Sequence, residues 1–132
     1  MNLIQKQRRS HLAVKIYGCC DKVLSYYGMK VPPQIFSQAL AIEMLQQGMQ
    51  VREKIRIATH YKGMELDETI SIHFLIEDEI ALEVCEGLYP TQWHEARLNT
   101  ILFFSKLPMG ILIDPTKDRI ADGFKKIVQQ KK

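Results

Sequence analysis

Between Thr69 and Cys85 the chain alternates. Ile70, Ile72, Phe74 and Ile76 take every second position, and so do Ile80, Leu82 and Val84. A period of two puts each set on one face of a strand. The acidic run Glu77-Asp78-Glu79 separates them and reads as a turn, so the stretch predicts a hairpin. Both apolar sets are expected to face one core. That sets the register, because a one-residue slip would turn one set outward. Ile76 then pairs with Ile80 across a three-residue loop. His73 falls opposite Glu83, and Ser71 opposite Cys85, on the face away from the apolar set. A His and a Glu meeting across a hairpin are the best candidates for chemistry in this chain.

A helical period governs much of the rest. Leu12, Ile16, Cys19, Cys20, Val23, Leu24 and Tyr27 predict a helix from about His11 to Tyr27, capped by Ser10 and ended by Gly28. Adjacent residues on a helix point about 100° apart, so at most one of Cys19 and Cys20 is expected mid-core. Pro32-Pro33 suits a first helical turn. A second helix follows to Gln47, with Ile35, Phe36, Ala39, Leu40, Ile42, Glu43 and Leu45 on its buried side. Glu43 sits at the margin, as a solvated flank or as a carboxylate aimed at the sheet. Val51 to Tyr61 reads as a strand with Val51, Ile55 and Ile57 facing in and Arg52, Lys54 and Arg56 sharing the other face. Those three cations form either a charged edge that discourages aggregation or a basic stripe for a phosphate backbone. Thr91 can cap a third helix to about Lys106, with Trp93, Ala96, Leu98, Ile101, Leu102 and Phe104 apolar and His94, Glu95 and Arg97 polar. Met109–Ile113 is an apolar strand covered on both faces. A fourth helix is expected from Asp118 to Gln129, through Ile120, Phe124 and Ile127, with Lys125 and Lys126 as further surface cations. The order ααβββαβα predicts an α/β sandwich, a mixed central sheet flanked by helices.

Composition narrows the class without naming a function. At 132 residues and 46% hydrophobic content the chain makes one domain with a core of its own, residues 1–9 and 129–132 being expected as flexible ends. A net charge of +3 permits an anionic partner without requiring one. Three cysteines make no disulfide framework, so a reduced, cytoplasmic setting is expected. No apolar run follows the basic start, and none reaches membrane-spanning length, so neither a signal peptide nor an anchor is expected.

With the hairpin at its centre, this order resembles the PD-(D/E)XK nuclease superfamily, whose fold is the restriction-endonuclease-like sandwich. Gly28 to Glu43, Val51, Tyr61-Lys62-Gly63, the hairpin, His94-Glu95-Ala96, Gly110–Asp114 and Asp122–Val128 are similar to its GxxExxY branch, one of its small bacterial families. The similarity runs from about His11 to Val128. The motifs depart from that branch. Lys30, Pro33 and Phe36 stand where it has Gly, Glu and Tyr. His73 replaces its metal-binding Asp, Cys85 its Lys, and Arg97 its Gln. Glu83 is kept, and so is Glu43.

The resemblance implies a Mg²⁺-dependent phosphodiesterase, in which acidic oxygens hold the ion and a lysine stabilises charge on the phosphate. A His in place of an Asp favours softer ions than Mg²⁺. Loss of the lysine removes a fixed cation that a thiol cannot replace. The expectation is therefore a catalytically degenerate nuclease fold, without a cofactor, acting as a binding or assembly module. Its partner would be nucleic acid, through Arg52, Lys54 and Arg56, a second copy, or another protein; a membrane is not expected. The alternative is an active metal-dependent nuclease, using Mn²⁺, Mg²⁺ or Zn²⁺. Its rearranged site would have His73, Glu83 and Glu43 as ligands, Cys85 as a further candidate, and Glu83 and Arg97 in catalysis. Under the first reading Arg97 simply pairs with Glu83. Thiol catalysis at Cys85 ranks last, since nothing nearby lowers its pKa.

Overall fold

A computed structural model describes residues 3–129. In chain order it has α1 (Leu3–Tyr27), α2 (Pro33–Gln46), β1 (Val51–Tyr61), β2 (Met64–Ile76), β3 (Ile80–Val84), α3 (Thr91–Ser105), β4 (Met109–Ile113), α4 (Ile120–Gly123) and β5 (Phe124–Val128). The strands form one sheet in the order β1-β2-β3-β4-β5. The first three make an antiparallel meander. The α3 crossover then brings β4 in parallel to β3, and β5 returns antiparallel to β4. The expected mixed α/β sheet flanked by helices is thus present.

The expected hairpin register holds. Ile76 pairs with Ile80, and Phe74 with Leu82. Glu77 and Asp78 both take left-handed backbone conformations to close the turn. The turn is held from outside: Glu77 accepts the Gln50 amide, Asp78 pairs with Arg52, and Glu79 pairs with Arg8.

The apolar set of β2 does not face one core. Phe74 and Ile76 join Ile80, Leu82 and Val84 against α1 and α2, whereas Ile70 and Ile72 pack with Leu98, Ile101 and Leu102 of α3. The same exchange occurs on β1, where Val51 belongs to the first core and Ile55 and Ile57 to the second. Lys54 has φ 55° at this point, and the ladder steps from the Glu53–Phe74 pair to the Ile55–Ile72 pair. A left-handed residue turns the strand over, so positions two apart cease to share a face.

Four other expectations change. The first helix begins at Leu3 rather than near His11. Residues 1–2 and 130–132, expected as part of the flexible ends, lie outside the described residues. Both Cys19 and Cys20 are buried, because α1 is covered by α2 as well as by the sheet. On α2, Phe36, Leu40 and Met44 point inward while Ile35, Ile42 and Leu45 are exposed. That helix is apolar nearly all round, and spacing alone cannot say which side the core takes. The expected fourth helix is one turn followed by β5. Ile120, Phe124 and Ile127 fit a helical period, but the free edge of the buried strand β4 needs backbone partners, and β5 supplies them. Lys125 and Lys126 therefore lie on an edge strand, Lys125 paired with Glu95.

Gly110 sets how closely α3 lies on the sheet. A Cβ there would meet Leu98 Cγ and Cδ2 at 2.9 Å. Leu98 is fully buried and has nowhere to retreat. Gly110→Ala is expected to cost about 1–3 kcal/mol by overpacking, read as a lower urea midpoint. An unchanged midpoint would mean that α3 is free to shift.

Candidate functional site

Glu83 lies between Leu82 and Val84, which face α1 and α2, so its own side chain is turned toward α3. It is 6% exposed. An unpaired carboxylate so deeply buried would be costly, and α3 supplies partners for both oxygens. Arg97 donates from Nη1 to Oε1, and from Nη2 to the Ser71 carbonyl at 2.7 Å. His94 Nδ1 lies 3.3 Å from Oε2. Toward the Glu83 carboxylate Nδ1 acts as a donor. That Nε2 is buried and has no hydrogen-bond partner. Burial pushes the Glu83 carboxyl above its ordinary range, with Arg97 and His94 opposing the rise.

The cluster forms one wall of an open cleft of about 330 Å³. Lys54, His73 and Trp93 line it together with Glu83, His94 and Arg97. The β2–β3 ladder ends at Phe74–Leu82, and His73 and Glu83, the next residue of each strand, both line the cleft. The His73 ring stacks on Phe74 at 4.4 Å, and burial lowers its pKa, keeping it neutral.

Other candidates lie elsewhere. Glu43 is on α2, across the sheet from Glu83, where it faces Cys19 of α1; it does not line the cleft. Cys85 packs into the α3 core, outside the cleft lining. Burial, with the Asp114 and Glu83 carboxylates adding to it, pushes its thiol up to about 12, which leaves no thiolate for ligation or attack. The three cations of β1 divide between two clefts: Arg52, which pairs with Asp78, and Arg56 line one with Ile55, Ile57 and Phe104, and Lys54 lines the Glu83 cleft.

His94 is the residue missed by assigning α3 its faces from polarity. It is 2% exposed, while Trp93, expected inside, is 44% exposed. Its spacing gives the signal: His94, Leu98, Ile101 and Leu102 recur at i, i+4, i+7 and i+8.

Such a centre does not suit a divalent cation. The one buried carboxylate already has a guanidinium on one oxygen and an imidazole on the other. No group of three or more His, Cys, Asp or Glu side chains able to hold a metal occurs among the described residues. A hard ion wants several free anionic oxygens, and here a cation of the protein stands in their place.

The fold matches a known class. The family model of the PD-(D/E)XK nuclease superfamily matches residues 10–127. The chain belongs to that superfamily. Among solved structures, the crystal structure of SSO0001 superposes with a TM-score of 0.50 at 16% sequence identity, over 98% of this chain and 77% of that one. This likeness is one of fold. No curated protein matches the chain significantly. Among the described residues, no helix is long and apolar enough to cross a membrane.

Proposed function

We propose that this chain is a member of the GxxExxY branch in which an ion-pair cluster has taken the place of the cleavage centre, and that the domain works as a binding or assembly module. The observation that carries the reading is the occupancy of Glu83: Arg97 and His94 take both of its oxygens in a buried setting. A carboxylate held in this way already has its charge matched by a fixed guanidinium, so an external cation must compete with Arg97 for it, and displacing one partner of a buried pair is costly. His73 is neutral and Cys85 protonated, so neither restores the lost anionic ligands.

Titration calorimetry on chelator-stripped protein tests this, with Mn²⁺, Mg²⁺ and Zn²⁺ in turn and Glu83→Gln as the control. The expected result is no stoichiometric binding, no shift in melting temperature, and no cleavage of DNA or RNA with any of the three. Stoichiometric Mn²⁺ binding that the substitution abolishes, accompanied by cleavage, would overturn the reading. It would establish instead a metal-dependent nuclease built on His73, Glu83 and Arg97, with Lys54 as the cation opposite them.

A further inference from the structure

The β1–β2 ribbon outgrows the sheet. β3 pairs with β2 only from Phe74 to Ile76, so past the Ile57–Ile70 pair the two strands are paired with each other alone. Residues 60–69 are all exposed. At roughly 3.3 Å per residue the projecting arm is about 15 Å long. A two-stranded ribbon without a core is marginal in water by itself. This one also turns apolar side chains outward. Tyr61 pairs with Met64, so the two share a face, and Leu66 lies two positions on; they are 64%, 74% and 44% exposed. Among and after them stand Glu65, Asp67 and Glu68, against one lysine, Lys62.

Beside the root of the arm lies the cleft of Arg52 and Arg56, an open space of about 480 Å³ between β1 and the end of α3. Its floor is apolar: Ile55, Ile57, Ile72, Leu75, Phe104 and Leu107. Its charged groups are the two arginines and Asp78. Arg52 takes Asp78, in a pair exposed on both sides. Arg56 has no ion-pair partner among the described residues. The cleft is therefore an apolar floor with an excess of positive charge. The arm is an apolar face with an excess of negative charge. β1 runs without a break from one into the other, so the arm does not reach back into the cleft of its own chain.

We infer that the arm of one copy lies in the Arg52–Arg56 cleft of a second copy, and that the exchange is mutual. Tyr61, Met64 and Leu66 cover the apolar floor, and Glu65, Asp67 and Glu68 meet the arginines at its rim. Two identical contacts related by a two-fold axis close on themselves, so the assembly stops at a dimer. Opposite charges orient the encounter, and burial of the apolar face holds it. This inference rests on the reading of the domain as a binding or assembly module and names its partner as a second copy of this chain.

Sedimentation velocity of the full chain in EDTA, over a series of protein concentrations, tests it. The expected species at the upper end has twice the 15.3 kDa mass of the chain. Its dissociation constant is expected to rise about tenfold or more between low and high salt. Two charge reversals at exposed positions then locate the contact. Arg52→Glu with Arg56→Glu sets an acidic cleft against an acidic arm. Glu65→Lys with Asp67→Lys and Glu68→Lys sets a basic arm against a basic cleft. Each variant alone is expected to be monomeric, with circular dichroism confirming that it is folded. Mixed in equal amounts, the two are expected to form a heterodimer, because both contacts are complementary again. A parent chain that stays monomeric throughout the series overturns the inference. So does a dimer indifferent to salt, one that survives both reversals, or folded variants that fail to recover on mixing. These outcomes are separate from the metal titration: cleavage with Mn²⁺ would overturn the non-catalytic reading, while a monomer here would overturn only the partner.

Discussion

Arg97→Leu is expected to lower stability by about 3–5 kcal/mol at pH 7, because it leaves the Glu83 carboxylate buried with one charged partner removed. Most of that loss should vanish on acidification. Burial already raises the Glu83 pKa above its ordinary 4.5, and Arg97 is the largest influence pulling it back down. Without the guanidinium the pKa rises further. A carboxyl raised in the folded state binds more protons there than in the unfolded chain, so folding is favoured at low pH. Its contribution is complete below about pH 4.5 and is lost as pH climbs through the folded-state value. Urea denaturation of the variant and the parent at pH 4.5, 6 and 7.5 makes the comparison. The gap between the two should widen steadily with pH. A gap independent of pH would mean that Arg97 contributes packing and its bond to Ser71 rather than charge.

Glu83→Leu alone should be about as costly, since it strands a guanidinium and an imidazole against an apolar wall. The combination Glu83→Leu with Arg97→Leu is expected to regain most of what either single change loses, and to approach or exceed the parent. A buried ion pair tends to be no better for stability than apolar residues of similar size, because two desolvated charges scarcely recover their cost in mutual attraction. The measurement is a double-mutant cycle at pH 7, with a coupling energy of at least about 2 kcal/mol expected between the two sites. Additive losses would show that the two side chains act independently. A double variant far less stable than either single one would show that the polar cluster, and not its shape, holds α3 on the sheet.

Much of the architecture was readable before any coordinates. The hairpin register followed from matching Ile76 to Ile80, since only an odd loop keeps both apolar sets together at the turn. His73 and Glu83 come to line one cleft. Three features escaped for physical reasons. Periodicity assumes regular backbone, and one left-handed residue, Lys54, reverses which side the next positions face. Arg52, Lys54 and Arg56 looked like one stripe, yet Lys54 lines the Glu83 cleft and the two arginines line another. His94 escaped because a polar side chain was assigned to the polar face, although a buried carboxylate needs polar partners within the core. Its identity as a partner of Glu83 depends on how the α3 crossover lies over β3, which no local pattern encodes. Strand β5 escaped in the same way, because its strongest reason to exist is the unpaired edge of β4, a neighbour distant from it in kind if not in sequence.

The turnover at Lys54 and His73 has a mechanical meaning. In a plain sandwich each strand presents one side to each helical layer along its whole length, and a layer can slide over the sheet as a sheet of paper slides over another. Here β1 and β2 are laced: the segment near the turn is gripped from the α1–α2 side and the segment beyond it from the α3 side. Shear of either layer therefore pulls on the lacing point, where Lys54 and His73 flank the Glu83 cleft. Whatever settles into that cleft presses on the stitch that joins the two halves of the molecule.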